Sequence, residues 1–138
     1  MREDLLAAIE GFDDAAMIEP SLDGWSVKDH LAHLALWDEI RVSELVRISA
    51  GHQSAWRTAG AQDAVYNELG HALRLSHSLA QARWELDHTR QALLEAIAAA
   101  TPRGVEPSLY GEAGLRSNHE TQHTVWLKRH RDAVLGRG

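Results

Sequence analysis

Apolar side chains in this chain recur at intervals of three and four residues, and no stretch of alternating β-branched residues bounded by turn signals interrupts them. That periodicity admits helices and excludes a sheet, so the expected fold is all-α. Residues 2–17 carry Leu5, Leu6, Ile9 and Phe12 on the pattern, interrupted by Gly11, until Pro20 and the Asp23-Gly24 pair break it. Ser26 with Asp29 three residues on has the form of a capping box, the carboxylate being shorter than the usual glutamate. It opens a helix running to about Ala50, before Gly51. Residues 51–62, rich in Gly, Ala and Ser around Trp56, read as a loop or short irregular crossover. Helical pattern returns over Asp63–Arg74. A start near Ser76 or Ser78 then leads into Leu79, Leu86, Leu93, Leu94 and Ile97, ahead of Thr101-Pro102. Gly104, Pro107, Gly111 and Gly114 mark a connector, after which Asn118 can cap a last helix carrying His119 to about Leu135. Four principal helices in 138 residues lead to one expectation: a four-helix bundle, residues 1–138 as a single domain with one core.

Composition narrows the function. The net charge is −6 and no Lys/Arg-rich run occurs, so the electrostatic attraction to phosphate backbones that nucleic-acid binders use is missing. With no cysteine, disulfides, zinc–thiolate sites and thiol nucleophiles are excluded together, and any metal must be held by nitrogen and oxygen. No apolar run approaches the ~20 residues of a membrane span, and Met1, Arg2, Glu3 and Asp4 begin acidic where a signal peptide would be basic. A cytoplasmic protein with neither nucleic acid nor membrane as partner is expected.

The second helix has two non-solvent faces. Val27, Leu31, Leu34, Val42 and Leu45 form its aliphatic stripe, whereas His30, His33, Trp37 and Ile40 occupy a sector roughly 90–150° away at 100° per residue. On the last helix His119 and His123 stand four apart and project side by side, and Trp126, Leu127, His130 and Val134 extend that face. Those two imidazoles are therefore expected to point into the bundle. An imidazole buried without a partner costs on the order of 1–3 kcal/mol, and a shared metal ion satisfies two at once. The commoner fate of an isolated pair is a hydrogen bond to a nearby Ser, Asp or carbonyl. His33 on a second helix turns the pair into a three-histidine set, which leaves at least one coordination position for water or substrate.

The run His119-Glu120-Thr121-Gln122-His123 also matches H-E-x-x-H, in which a zinc peptidase uses the glutamate as general base. Peptidases of that kind commonly take a third ligand downstream and hold peptides along a strand edge; here fifteen residues follow and no strand is expected, so proteolysis is disfavoured. Glu120 remains the candidate catalytic base or a partner that orients a ligand ring, although its place about 100° around the helix from His119 equally suits an exposed glutamate. Trp37 and Trp126 are candidate pocket walls or ordinary core. His30 and His130 are candidates for substrate contact, a fourth ligand or a proton relay, set against plain polar lining. His52, His71, His77 and His88 share no face and read as surface residues.

Two segments give the chain a resemblance. Gly24-Trp25-Ser26-Val27-Lys28-Asp29-His30-Leu31-Ala32-His33-Leu34, followed by Trp37, and His119 through His123 followed by Trp126-Leu127, resemble the DinB-like (YfiT-like) superfamily of metal-binding four-helix bundles. Within it the chain looks closest to the ClbS/DfsB-like branch. The resemblance covers nearly the whole chain. It implies an up-down-down-up bundle with a long crossover between helices two and three, and a nickel or zinc ion on His33, His119 and His123. Some members look like thiol-dependent transferases or isomerases, and the ClbS-like branch includes a hydrolase that disarms a genotoxin. Members often pair as dimers, so a homodimer is a possible state.

The leading expectation is a metal-dependent hydrolase or thiol-dependent transferase acting on a small molecule, with a low-molecular-weight thiol as candidate co-substrate. The alternative is a binding or sequestration protein in which the metal is a structural or ligand-binding element without turnover.

Overall fold

Helix α1 (Arg2–Ile9) stops short of where periodicity alone would carry it. Gly11 adopts φ +92°, a left-handed conformation that ends a helix, and Asp13 then caps a new one, its Oδ1 accepting from the Ala16 N–H at 2.8 Å. The continuous helix expected over 2–17 is thus two, with α2 (Asp14–Ile18) turned onto the next element. The computed structural model describes residues 2–18, 25–58, 63–106, 109–110 and 118–135, and within them every side chain except those of residues 2, 57–58, 118–123 and 133–135. Among the described residues the remaining elements are α3 (Val27–Ser49), α4 (Ala55–Thr58), α5 (Asp63–Arg74), α6 (Leu79–Ala99) and α7 (Asn118–Leu135), with no strand.

Local chemistry sets most of these boundaries. At the head of α3 the Ser26 hydroxyl accepts from the Asp29 N–H at 3.0 Å, and Asp29 Oδ2 accepts from the Ser26 N–H at 2.9 Å, so the capping box is complete despite the short carboxylate. Gly51, at φ +88°, closes the other end. Of the two starts open for α6, Ser78 is the cap, accepting from the Gln81 N–H at 3.1 Å. Among the described residues the crossover holds a helical turn, α4, whose Ala55 and Trp56 N–H groups donate to the buried Glu44 carboxylate at 3.1 and 3.2 Å.

The fold is an all-α, up-down-down-up bundle. Helix α3 packs most extensively on α6. Asp38 pairs with Arg90 and Ser49 with Thr101, so residue numbers rise together and the two helices run parallel. Helix α1 lies along α7, where the Arg131 guanidinium donates to the Ala7 carbonyl. Leu5, Ile9, Met17, Val27, Leu31, Leu34, Leu86 and Leu127 interlock as the main core, and Leu45, Leu93 and Tyr110 form a second cluster beside it. The aliphatic stripe expected on α3 is buried apart from a half-buried Val42. Leu6 and Leu94, though on the helical pattern, lie exposed.

Helix α5 lies against α3 at Gly70, where a Cβ would overlap Leu36 Cδ2, so a larger residue there would require the Leu36 side chain to move. None of the helices among the described residues is long and apolar enough to cross a membrane.

Candidate metal centre

Trp25, just ahead of α3, organises the rings at this end of the bundle. Its indole meets His30 and His33 edge-on, each at 5.3 Å between centroids, and stacks on His71 of α5 at 5.0 Å and 10°. His33 is half-buried, with Nδ1 shielded from solvent, and the Trp37 ring stands over it edge-on at 6.5 Å. Trp37 in turn is pinned: its Nε1–H donates to Asn67 Oδ1 at 2.7 Å, and Tyr66 meets its ring at 6.1 Å. Two tryptophans therefore clasp the imidazole of His33, one from the helix entrance and one from the next turn.

His30 is buried one turn before His33. Burial pushes its pKa down from 6.5 to about 4, with the neighbouring His130 adding to the fall and Asp29 opposing it, so the ring is neutral at pH 7. A neutral imidazole is the form that can ligate a metal or accept a proton. Trp126 of α7 meets His30 edge-on at 6.5 Å, and half-buried His130 stacks on Phe12 at 5.6 Å. Trp37 and Trp126 thus border different rings: the first faces His33, the second His30. Trp126 is also half exposed, so it closes the rim of the site and adds little to the core.

The side chains of His119, Glu120 and His123 lie outside the described residues, although α7 carries all three positions. The described side chains alone supply only His33 of the expected ligands, and no three of them converge on a metal position. The donor set as a whole, imidazole nitrogens without thiolate, fits a borderline divalent ion.

The model of the DinB superfamily matches residues 1–127, a span that holds His33, His119, His123 and Trp126. The chain belongs to the DinB superfamily. That superfamily is typically metal-binding. Comparison with curated proteins and with solved structures found no match.

Periodicity missed one participant in this DinB-superfamily chain. His71 is no surface residue: it is stacked on Trp25, with Nε2 buried 3.6 Å from Asp29 Oδ2. His77 is half-buried too, 3.6 Å from Glu85, whereas His52 and His88 are exposed as expected. The one signal available for His71 was its spacing from Asn67 and Arg74, four residues before it and three after. All three reach α3, at Asp29, Trp37 and Glu39 respectively for His71, Asn67 and Arg74.

Proposed function

We propose that this chain is a metal-dependent enzyme acting on a small molecule, with His33, His119 and His123 holding one zinc or nickel ion. The observation that carries the reading is how α7 meets α3. Trp126 and His130 lie against His30, and the up-down-down-up order would set the last helix antiparallel to α3. Positions that precede Trp126 therefore lie alongside positions that follow His30. His119 and His123 precede Trp126 by seven and three residues, and His33 follows His30 by three.

Three imidazoles leave a coordination position open, and an ion bound there supplies Lewis-acid chemistry, polarising a substrate or lowering the pKa of a bound water or thiol toward neutrality. The chain's own residues do the rest. Trp25 and Trp37 fix the orientation of His33 and keep water from its flanks, Asn67 holds Trp37 in register, and buried His30 adds an uncharged ring between Trp25 and Trp126. Glu120, adjacent in sequence to a ligand, is the proposed general base. The resemblance does not select a reaction, and hydrolysis and thiol-dependent transfer are the two chemistries it suggests.

The test is a reaction panel with metal-loaded protein: alkylating electrophiles and strained rings offered with a low-molecular-weight thiol, and activated esters and amides offered alone. Conversion that a chelator stops, that added metal restores, and that His123→Ala lacks supports the proposal. Glu120→Gln should retain the metal and lose about a hundredfold or more in kcat if it is the base. Tight ligand binding with no conversion of any compound would select sequestration instead.

A further inference from the structure

We propose that the cavity between α3, α4 and α5 binds a small primary ammonium ion with an apolar body, its N–H groups on Glu44 and its hydrocarbon against Trp56 and Tyr66. The site is separate from the His33 centre and needs no metal.

The cavity is open to solvent and holds about 270 Å³; its walls include Glu39, Ile40, Glu44, Arg47, Trp56 and Tyr66. Ile40 lies two turns beyond His33 on the same face of α3, roughly 10 Å along the helix, with Trp37 on the turn between. The aromatic walls are set before any ligand arrives. Trp56 Nε1–H donates to Asp63 Oδ1 at 2.5 Å, which ties α4 to α5, and the Tyr66 ring meets Trp37 edge-on at 6.1 Å. Rings that are already ordered cost a ligand little conformational entropy.

Glu44 selects a hydrogen-bond donor. It is 4 % exposed, and its hydrogen bonds from Arg47 and from the Ala55 and Trp56 N–H groups all fall on Oε1. Oε2 therefore has no donor among the described residues, and it is the acceptor that Glu44 offers the cavity. A carboxylate oxygen withdrawn from water without a hydrogen bond is unfavourable, and an N–H group entering the cavity relieves it.

The surroundings select the donor's charge. In the network around the cavity Glu39, Glu44, Asp63 and Glu85 outnumber Arg47 and Arg74, and Arg74 is divided between Glu39 and Glu85. That excess repels an anion, whereas an uncharged donor makes only the weaker, neutral hydrogen bond. A bare metal ion finds too few ligands, since among the described residues no three donor side chains converge. Trp56, Tyr66 and Ile40 complete the recognition, their rings and methyl groups covering the hydrocarbon next to the ammonium. The volume is below the ~300–1,000 Å³ of drug-sized sites, which limits the ligand to one ring or a short branched chain.

The test varies the ligand's charge at constant shape. Metal-free protein is titrated by calorimetry at pH 7 and low salt with 2-phenylethylamine, which is protonated there, and with 2-phenylethanol and 3-phenylpropionate. The amine should bind with Kd below about 1 mM, the alcohol at least about tenfold more weakly and the carboxylate not measurably. Glu44→Gln, whose amide oxygen can still accept from α4, should weaken amine binding about tenfold or more, and Trp56→Leu about fivefold. In proton–nitrogen spectra the Trp56 indole N–H, identified by its loss in Trp56→Leu, should shift as the amine is added. His33→Ala should bind the amine within about twofold of wild type, which separates this site from the metal centre whether or not that centre holds an ion. Equal binding of alcohol and amine, no amine binding at about 10 mM, undiminished binding by folded Glu44→Gln, or loss of binding in His33→Ala overturns the proposal. Should Glu44→Gln fail to fold, the ligand series on wild type and the Trp56 signal decide the question without it.

Discussion

The two halves of α3 handle polarity in opposite ways. In the C-terminal half the buried groups are charged and mutually neutralised. Asp38, 1 % exposed, receives the Arg90 Nε at 2.9 Å and Nη2 at 3.2 Å, with Arg41 alongside at 3.4 Å, and Glu44 is shared between Arg47 and the α4 backbone. In the N-terminal half the Asp29 carboxylate is spent on the helix cap, and buried, neutral His30 and half-buried His33 are enclosed by tryptophans. Charges that cancel one another tie α3 to α6. One helix thus carries ion pairs that fix the scaffold at one end and rings packed on tryptophans at the other.

Substitutions can break this contrast. The largest effect should come from the scaffold end: Asp38→Ala strands Arg90 and Arg41 beside a buried void and should cost about 3–5 kcal/mol in urea unfolding, while folded protein still binds metal. A loss below about 1 kcal/mol there would mean that the ion pairs are no scaffold.

Acid should act at the other end. The folded-state pKa of His30 lies below its unfolded value, so the unfolded chain takes the proton first. The stability this ring contributes is whole above about pH 6.5 and is lost as pH falls toward about 4. Metal-free protein should lose about 3 kcal/mol over that window by this group, and His30→Gln should flatten the slope. An unchanged slope in the variant would assign the acid sensitivity elsewhere. Ser26→Ala, which removes the hydroxyl cap of α3, should cost about 1 kcal/mol in thermal unfolding. The smallest effect belongs to exposed Trp84: Trp84→Gln should shift stability by less than about 0.5 kcal/mol. A larger loss would show that its stacking on His88 matters to the fold.

The backbone plan was legible because it follows from local rules. Ser26 with Asp29, Gly51, and Ser78 set the limits of α3 and the start of α6 through chemistry within one turn of each residue. The sector of α3 carrying His30, His33 and Trp37 was legible for the same reason, helical spacing alone placing it beside the aliphatic stripe. The break at Gly11 was visible as an interruption, but only the left-handed backbone there and the Asp13 cap turn an interruption into two helices. The role of α5 was not legible. His71 meets Asp29 across 42 positions of sequence through the Gly70–Leu36 approach, and no local pattern encodes a contact between two helices. Trp25 stands in the motif that opens α3, yet its contact with three histidines depends on where α5 settles.

The central claim is that His33 of α3 shares an ion with the two α7 histidines. Elemental analysis of gently purified protein, after reloading with zinc or nickel, measures it directly in wild type and in His33→Ala, with circular dichroism to verify the fold. The account expects about one ion per chain in wild type and almost none in a folded His33→Ala. An equal metal content in the two proteins, or a wild type that retains no ion, would contradict it.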